Sequence, residues 1–248
     1  MPPIGLGVWH MAEGRDTEQA VTQALASGYR LIDTARFYGN EASVGRAVAR
    51  YIGTGAAVRE DIFITTKLWP TDFGHPEKAF HRSLEALGLA YIDLYLIHWP
   101  IPLMPRGIWR ALERICEQKL ARSIGVSNYD ENDIGRLLSY ANSAPAVNQI
   151  KFSVFDHNLE LLEFCTSRNI AVEAYSPLER GRINHPTVEK IAEIHKKSPA
   201  QILIRWCLEH GTVPLPKSSR PERIRENRDV FDFELTKNEM VQLDALGN

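Results

Sequence analysis

Four side chains of this sequence stand where apolar stretches give way to polar ones, and together they could carry out acid–base chemistry. Asp33, Lys67 and His98 each follow an uninterrupted apolar stretch, and Tyr38 lies in the loop after Asp33. A carboxylate at the end of a buried strand is costly unless a cation pairs with it. We therefore expect Asp33 to pair with Lys67, close to Tyr38.

The chemistry open to this set is protonation of a carbonyl oxygen. A phenol has an unperturbed pKa of about 10, and a nearby ammonium group is expected to lower the pKa of Tyr38. His98 can donate a hydrogen bond to a bound oxygen or relay a proton. The sequence shows no serine or cysteine elbow to attack the carbonyl carbon, so a hydride from a reduced nicotinamide fits best. A strand that simply ends at a polar loop explains a lone serine, but it explains this set poorly.

Short apolar strands alternate with amphipathic helices along the chain, and this order must position the four residues. Eight strands are predicted, at Ile4–Trp9, Leu31–Asp33, Ile62–Lys67, Ile92–His98, Ser123–Val126, Ala146–Ile150, Ala171–Tyr175 and Thr212–Leu215. Helices are predicted near Asp16–Ser27 (with Asp16 as its cap), Ser43–Tyr51, Pro76–Leu87, Gly107–Gln118, Glu131–Tyr140, Leu159–Arg168, Thr187–Lys196, Pro199–Glu209, from Pro221, and near Thr236–Leu246.

This alternation predicts an α/β (β/α)₈ TIM barrel forming a single domain over residues 1–248. A doubly wound open sheet is the alternative, but it usually has fewer strands. In a barrel, the ends of the strands meet at one mouth, where the chemistry of such folds lies. Polar or aromatic residues end every predicted strand, which favours a single site at that mouth.

Composition narrows the class of protein. The chain has 248 residues, a formal charge of −2 and 44% hydrophobic residues, which is typical of a globular protein without an electrostatic case for nucleic acid. It contains no run of about 18 apolar residues, so no membrane span is expected, and its start does not resemble a signal peptide. The three widely spaced cysteines favour free thiols in a reducing cytoplasm, and their spacing offers no metal site.

A phosphate site is predicted after the eighth strand. The Gly5-Leu6-Gly7 segment is no dinucleotide fingerprint, because His10 stands where a glycine is needed. Barrels often bind phosphate after the last strand, at the start of a helix. The residues there with suitable side chains are Lys217, Ser218, Ser219 and Arg223. A solvated basic loop is the alternative, and we prefer it for Arg220 and Arg225.

Several longer stretches carry a resemblance to a known family. They are GYRLIDTARFYGNE, TTKLW, DLYLIHWP, IGVSNY, VNQI, VEAYSPL and PKSSRPERIRENRDVFDFEL, which follow one another from Ile4 to about Leu235. Together they resemble the aldo-keto reductases, in particular short prokaryotic members of the 2,5-diketo-gluconate reductase type. The resemblance implies a (β/α)₈ barrel and the NADPH-dependent reduction of small aldehydes, ketones or dicarbonyl compounds to alcohols, usually by a monomer.

The resemblance also implies roles for individual residues. Asp33, Tyr38, Lys67 and His98 match the catalytic tetrad, with Tyr38 as the general acid. Residues matching the NADPH/NADP+ site are Ser127, Asn128 and Gln149 (nicotinamide carboxamide), Tyr175 (nicotinamide ring), Ser176 and Leu178 (pyrophosphate), Lys217, Ser218, Ser219 and Arg223 (2′-phosphate), and Glu226 and Asn227 (adenine). Trp9, Trp69 and Trp99 match aromatic residues that line the substrate pocket, although Trp69 fits ordinary barrel packing equally well.

The sequence departs from this family in ways that bear on specificity. Only three residues precede the first predicted strand, the loop after His98 is short, and the chain stops at Asn248. We therefore expect the N-terminal hairpin and the long C-terminal tail to be absent and the pocket to be open. Few loop contacts would then remain to discriminate between small substrates.

Two other functions remain possible from the residues alone. A regulatory module could hold NADP(H) on the same fold with little turnover, although an intact tetrad argues against it. A barrel hydrolase would need paired carboxylates, for which Glu173 is one candidate. No second carboxylate facing Glu173 is evident from the sequence, so a buried structural role for Glu173 is the preferred interpretation.

Overall fold

The eight strands form one parallel sheet in which each strand pairs with the next along the chain. A computed structural model describes residues 1–101, 105–181 and 183–247. The strands are β1 (Gly5–Gly7), β2 (Leu31–Asp33), β3 (Phe63–Leu68), β4 (Ile92–Ile97), β5 (Ala121–Ser127), β6 (Val147–Lys151), β7 (Ala171–Tyr175) and β8 (Val213–Leu215). The backbone N–H of Gly7 donates to the carbonyl of Pro216 across 3.1 Å, which joins β1 to the end of β8. The predicted (β/α)₈ barrel is therefore confirmed, and an open sheet is excluded.

Helices surround the sheet. They are α1 (Arg15–Ala26), α2 (Glu41–Gly53), α3 (Pro76–Leu87), α4 (Arg106–Glu117), α5 (Glu131–Leu138), α6 (Leu159–Thr166), α7 (Pro186–His195), α8 (Pro199–Glu209), α9 (Pro221–Arg228) and α10 (Lys237–Asp244). The loop between β4 and α4 contains residues 102–104, so its predicted shortness lies partly outside the described residues. Within the described ranges, no helix combines the length and apolar character that a membrane crossing requires.

Most predicted boundaries hold to within a few residues, and the misses have local causes. The strand predicted over Ile4–Trp9 is shorter, because only Gly5–Gly7 pair with β2. The prediction of Asp16 as a helix cap is wrong, since Gly14 is the N-cap residue and its N–H donates to Ser43 Oγ at 2.7 Å. Asp16 lies in the first turn instead, where a negative charge suits the helix dipole.

The strand pleat decides which side chains point into the barrel. Thr65 and Lys67 of β3 are two residues apart and pair in register with Leu94 and Leu96 of β4. Leu94 and Leu96 form a small apolar cluster with Val147 that is separate from the main core. The main core lies between the sheet and the helices. Side chains that alternate along one strand share a face, so Lys67 belongs to the interior face of the barrel.

Candidate active site

Adjacent strands bring Asp33 and Lys67 together. Asp33 ends β2 and pairs in register with Thr65, two residues before Lys67 on β3. The Lys67 Nζ donates to Oδ1 and Oδ2 of Asp33 at 2.7 and 2.8 Å and to the carbonyl of Thr34 at 2.9 Å. The Lys67 side chain has no exposed area. This ammonium is thus fixed by three acceptors in the barrel interior, as the sequence predicted for the pair.

Tyr38 lies within reach of the same ammonium. Its hydroxyl oxygen accepts a hydrogen bond from Lys67 Nζ at 3.2 Å. Tyr38 belongs to a single 3₁₀ turn, Arg36–Tyr38, which ends at Gly39 in the left-handed conformation (φ 69°). Glycine is suited to that conformation because it has no Cβ. The turn therefore directs the phenol back toward the end of β3.

The buried side chain of Asn40 anchors the loop that carries Tyr38. Its Oδ1 accepts from Thr34 Oγ1 at 2.7 Å, and its Nδ2 donates to the carbonyls of Val8 and Met11 at 2.9 and 3.0 Å. These bonds tie the loop after β2 to the loop after β1. A buried amide that is satisfied on both ends holds a loop rigidly, so the position of Tyr38 is set by structure around it.

His98 completes the group at the barrel mouth. It follows β4 directly, and its backbone N–H donates to the carbonyl of Leu68 at 3.0 Å. Its imidazole packs edge-on against the rings of Tyr38 and Trp69, with centroid distances of 5.6 and 4.9 Å. The structure thus brings together all four residues that the sequence singled out for acid–base chemistry.

Burial has the largest effect on the pKa of Tyr38. Burial raises the pKa of Tyr38 to about 12, and the opposing effect of Lys67 is smaller. Lys67 does lower the pKa of Tyr38, as expected from the sequence, but the removal of the phenol from water outweighs that effect. Burial also lowers the pKa of Lys67, but Asp33 and Tyr38 outweigh it, and the net shift is upward. Tyr38 is consequently a protonated phenol and Lys67 an ammonium at neutral pH.

The imidazole of His98 is uncharged. Burial, with a further contribution from the charge of Lys67, lowers the pKa of His98 to about 3. Its Nδ1 is buried without a hydrogen-bond partner among the residues that the structure describes. A neutral imidazole can donate one hydrogen bond to a bound oxygen, but it is a poor source of a proton at neutral pH.

A second polar network lies at the ends of β5, β6 and β7. Ser127 Oγ donates to the carbonyl of Gln149 at 2.8 Å and accepts from Asn128 Nδ2 at 2.9 Å. The Tyr175 hydroxyl donates to Asn128 Oδ1 at 2.8 Å, and Asn128 Nδ2 also lies 3.1 Å from the carbonyl of His98. Four of the predicted cofactor-binding residues therefore form one connected group beside the tetrad.

Gln149 links this network to the Asp33–Lys67 pair. Its Nε2 donates to Asp33 Oδ1 at 2.8 Å and to Glu173 Oε2 at 2.7 Å. Asp33 is thus the second carboxyl group facing Glu173, which the sequence did not reveal. Burial, followed by the negative charge of Asp33, raises the pKa of Glu173 above its ordinary value. The pair is enclosed and one member is bound to an ammonium, which does not suit the hydrolytic use of two carboxylates.

Three loops at the mouth contain a non-glycine residue in the left-handed region. His10 (φ 58°) is the third residue after β1, whereas Asn128 (φ 63°) directly follows β5 and Ser176 (φ 53°) directly follows β7. Such conformations are costly for residues with a side chain and persist where surrounding structure fixes them, often at functional sites. Leu178, two residues after Ser176, packs against the core and its carbonyl accepts from Gly181 N at 2.7 Å.

The predicted phosphate site lies between β8 and α9. Lys217, Ser219 and Arg223 are exposed, whereas Ser218 is buried and its Oγ accepts from the backbone N–H of Arg220 at 3.1 Å. Within the described part of the chain, neither Lys217 nor Arg223 has an ion-pair partner. Glu226 and Asn227 lie farther along α9, where Asn227 is buried and Glu226 is partly exposed. No hydrogen bond connects this loop to the tetrad among those residues.

Aromatic side chains surround the mouth, including one that the sequence did not single out. The ring of Phe37 stacks on Trp69 with a centroid distance of 3.9 Å and remains 56% exposed. Trp99 is also exposed, and Trp9 is covered by the guanidinium of Arg180 at 5.0 Å. The only signal for Phe37 was its place directly before Tyr38. The Trp69 ring also contacts the imidazole of His98 edge-on.

Metal ligands are not part of this arrangement. Across residues 1–101, 105–181 and 183–247, no group of three or more His, Cys, Asp or Glu side chains could hold a metal ion. Two of the three cysteines, Cys165 and Cys207, are buried and unpaired, and Cys116 is partly exposed.

Comparisons with known proteins agree with this geometry. The model of the Aldo/keto reductase family matches residues 3–248. The chain is 43% identical over 249 residues to the glyoxal reductase of Bacillus subtilis, covering 99% of this chain and 89% of that protein. It is 44% identical over 251 residues to methylglyoxal reductase DkgA of Yersinia pestis, with the same coverage of 99% and 89%. The crystal structure of Bombyx mori aldo-keto reductase in complex with NADP superposes with a TM-score of 0.93 at 37% identity, covering 100% of this chain and 89% of that one.

Proposed function

The chain belongs to the aldo/keto reductase family, and from this premise we propose that it reduces small aldehydes, ketones or dicarbonyl compounds to alcohols, using NADPH. Relatives named glyoxal reductase and methylglyoxal reductase support a carbonyl or dicarbonyl substrate. A similar structure in complex with NADP supports a nicotinamide cofactor. The observation that carries the proposal is the buried ammonium of Lys67, which joins Asp33 to the Tyr38 hydroxyl.

Tyr38 is the proposed general acid. Its raised pKa keeps the phenol protonated at neutral pH, so a proton is available when negative charge develops on the carbonyl oxygen. The tyrosinate left behind lies 3.2 Å from the Lys67 ammonium, which limits the cost of that anion. Asp33 keeps the ammonium in place and offsets the cost of burying it.

His98 is proposed to orient the substrate. A neutral imidazole beside Tyr38 can donate a hydrogen bond to the same carbonyl oxygen without competing for the proton. Trp9, Trp69 and Trp99, with Phe37 added by the structure, supply aromatic surface around that oxygen. The Asp33, Tyr38, Lys67 and His98 side chains thereby divide proton transfer and positioning among themselves.

The residues at the ends of β5, β6 and β7 suit a nicotinamide, which supplies a hydride to the carbonyl carbon when bound. Gln149, Ser127 and Asn128 offer the donors and acceptors that a carboxamide requires, and the Tyr175 ring offers an aromatic face beside them. Ser176 and Leu178 are proposed to lie along the pyrophosphate. This set is polar, preorganised and adjacent to the tetrad.

The loop after β8 is proposed to hold the far end of the cofactor. Lys217, Ser218, Ser219 and Arg223 would bind the 2′-phosphate, since two cations without ion-pair partners in the described chain stand beside two hydroxyl groups at a helix start. Glu226 and Asn227 would contact the adenine. An extra phosphate on the ribose is what distinguishes NADPH from NADH, so this loop favours NADPH.

The test is a cofactor-oxidation assay across a panel of small aldehydes, ketones and dicarbonyl compounds, each with NADPH and with NADH. We expect oxidation of NADPH with several dicarbonyl or aldehyde substrates, and stoichiometric formation of the alcohol. Tight binding of NADPH without turnover across the panel would point to a binding module instead. Absence of both binding and turnover would refute the proposal altogether.

A further inference from the structure

The amide of Gln149 donates hydrogen bonds to two carboxyl groups, one on the neighbouring strand β7 and one on β2. Its Nε2 lies 2.8 Å from Asp33 Oδ1 on β2 and 2.7 Å from Glu173 Oε2 on β7. A primary amide has two N–H groups, and both are used by these acceptors. The sequence separations are 116 and 24 residues, so only the closed barrel brings the three side chains together.

The remaining polar atom of this amide is its carbonyl oxygen. Gln149 Oε1 has no hydrogen-bond partner among the residues that the structure describes, and it is not one of the buried atoms left without a partner. The Oε1 atom therefore retains a small accessible area, although the residue as a whole is only 2% exposed. Of the polar atoms of this amide, only an acceptor is left for a bound molecule.

We propose that Glu173 is a positioning residue, which together with Asp33 fixes the orientation of the Gln149 amide so that its carbonyl oxygen accepts a hydrogen bond from the nicotinamide carboxamide N–H. This inference rests on the proposed function and names how one of its cofactor contacts is set. Asp33 alone orients the Gln149 amide weakly, since both oxygens of Asp33 already accept hydrogen bonds from Lys67. Glu173 supplies the second acceptor, which an amide rotated by half a turn would leave unused.

The state of Glu173 argues against a merely structural role. Its side chain is fully buried and its Oε1 has no hydrogen-bond partner in the described chain. An unsatisfied polar atom in the interior destabilises the fold, and an apolar side chain of the same size would avoid that cost. The charged groups that face it, Asp33 and Lys67, are paired with each other, and burial with the charge of Asp33 raises the pKa of the Glu173 carboxyl above its ordinary value.

The inference is tested with ligands that differ only in the carboxamide. Binding is measured by quenching of protein fluorescence for NADPH, for reduced 3-acetylpyridine adenine dinucleotide phosphate, whose acetyl group has no N–H to donate, and for 2′,5′-ADP, which lacks the nicotinamide. In Glu173→Met, we expect the preference for NADPH over the acetylpyridine analogue to fall by about fivefold, as for the loss of one neutral hydrogen bond. The affinity for 2′,5′-ADP should stay within twofold.

Four further variants serve as controls. Glu173→Gln retains an acceptor for Gln149 and should preserve the wild-type preference. Glu173→Thr removes the carboxyl group and leaves a smaller side chain. It replaces the Met variant if the latter does not fold. Gln149→Ala should lower the preference as Glu173→Met does, and the double variant should show no additional loss, because both changes remove the same contact.

The failure of this inference is distinguishable from failure of the proposed function. If the wild-type chain binds NADPH and prefers it over the acetylpyridine analogue, the function stands; an unchanged preference in the folded Met or Thr variant then overturns the role of Glu173. Equal binding of both dinucleotides by the wild type also overturns it. Loss of affinity for 2′,5′-ADP in parallel with NADPH would show a general structural effect and would equally contradict positioning.

Discussion

Two groups of cations in this molecule are arranged in opposite ways. Lys67 lies in the barrel interior with no exposed side-chain area and donates to Asp33, Thr34 and Tyr38. Lys217 and Arg223 stand on the surface after β8, with no ion-pair partner within the described ranges. The hydrogen bonds of Lys67 are all made within the protein, whereas Lys217 and Arg223 are available to bind an anionic ligand.

This difference in burial predicts that the two groups of cations have different effects, one on the catalytic rate and the other on ligand affinity. A buried, preorganised ammonium acts on charge that develops next to it, and its environment is not screened by water. Exposed cations are screened, but they can bind a phosphate without the prior loss of an internal contact. We therefore expect changes in the buried group to alter catalysis and pH dependence, and changes in the exposed groups to alter ligand affinity alone.

The largest expected effect follows from removal of the buried proton donor. Tyr38→Phe should lower kcat by about 10³, since general acid catalysis typically contributes 10²–10⁴. The dissociation constant for NADPH should change little, because the hydroxyl is not part of the proposed cofactor site. Steady-state kinetics and fluorescence titration measure the two quantities.

Tyr140→Phe is the matched control, since Tyr140 follows α5 and lies outside the site. It should leave kcat unchanged. A Tyr38→Phe enzyme that retained more than a tenth of the wild-type kcat would contradict both the acid assignment and the separation of rate from affinity.

The buried histidine should make stability depend on pH. The folded pKa of His98 is about 3 and its unfolded pKa about 6.5, so between these values only the unfolded chain takes up the proton. The free energy of unfolding of the wild type should therefore fall as pH drops through this window. The slope should exceed that of His98→Asn by up to about 1.4 kcal/mol per pH unit.

Denaturant titrations of the two proteins at a series of pH values measure this slope. Above the unfolded pKa, the free energies of the two proteins should run in parallel. If the free energies of unfolding of the two proteins run in parallel over the whole window, down to about pH 3, His98 is not held uncharged by burial.

The exposed cations should affect one cofactor selectively. Lys217→Ala and Arg223→Ala are each expected to raise the dissociation constant for NADPH about tenfold, the value of a charge-assisted hydrogen bond. Binding of NADH and the thermal midpoint should barely change, because neither cation has a partner to lose in the described chain.

Arg220→Ala provides the comparison, since Arg220 is exposed in the same loop and we assign it to solvent. It should leave the NADPH affinity within twofold. An equal loss for NADH and NADPH in the Lys217 or Arg223 variants would sink the proposed preference for the extra phosphate.

The smallest effect is expected for an exposed aromatic side chain. Phe37→Ala should raise the KM for an aromatic aldehyde by about threefold at nearly unchanged kcat, because a stacked aromatic pair contributes about 0.5–1.5 kcal/mol. Phe231→Ala, at another exposed position, should change neither constant. A fall in kcat at constant KM would contradict this prediction, because it would mean that Phe37 acts on the catalytic step and not on substrate binding.

Local patterns predicted more of the fold than of the electrostatics. The apolar runs of β2 and β7 and the amphipathic repeats of α3 and α8 gave their boundaries, because the pleat and the helical period are properties of the local chain. β1 was predicted too long because Val8 and Trp9 continue the apolar run but lie beyond the end of the strand at Gly7. The lowering effect of Lys67 on the pKa of Tyr38 was predicted, but the net upward shift was not, since it depends on how much water the fold removes from the phenol.

By itself, the sequence determined the alternation of strands and helices and the identity of the residues that end each strand. From these alone, the meeting of Asp33, Tyr38, Lys67 and His98 at one mouth could be foreseen, because parallel strands in a barrel end together. Only the tertiary structure decided that Gln149 connects Asp33 to Glu173 and that Phe37 stacks on Trp69. Such contacts depend on barrel closure and loop conformation, and burial then sets each protonation state, so no local stretch of residues encodes them.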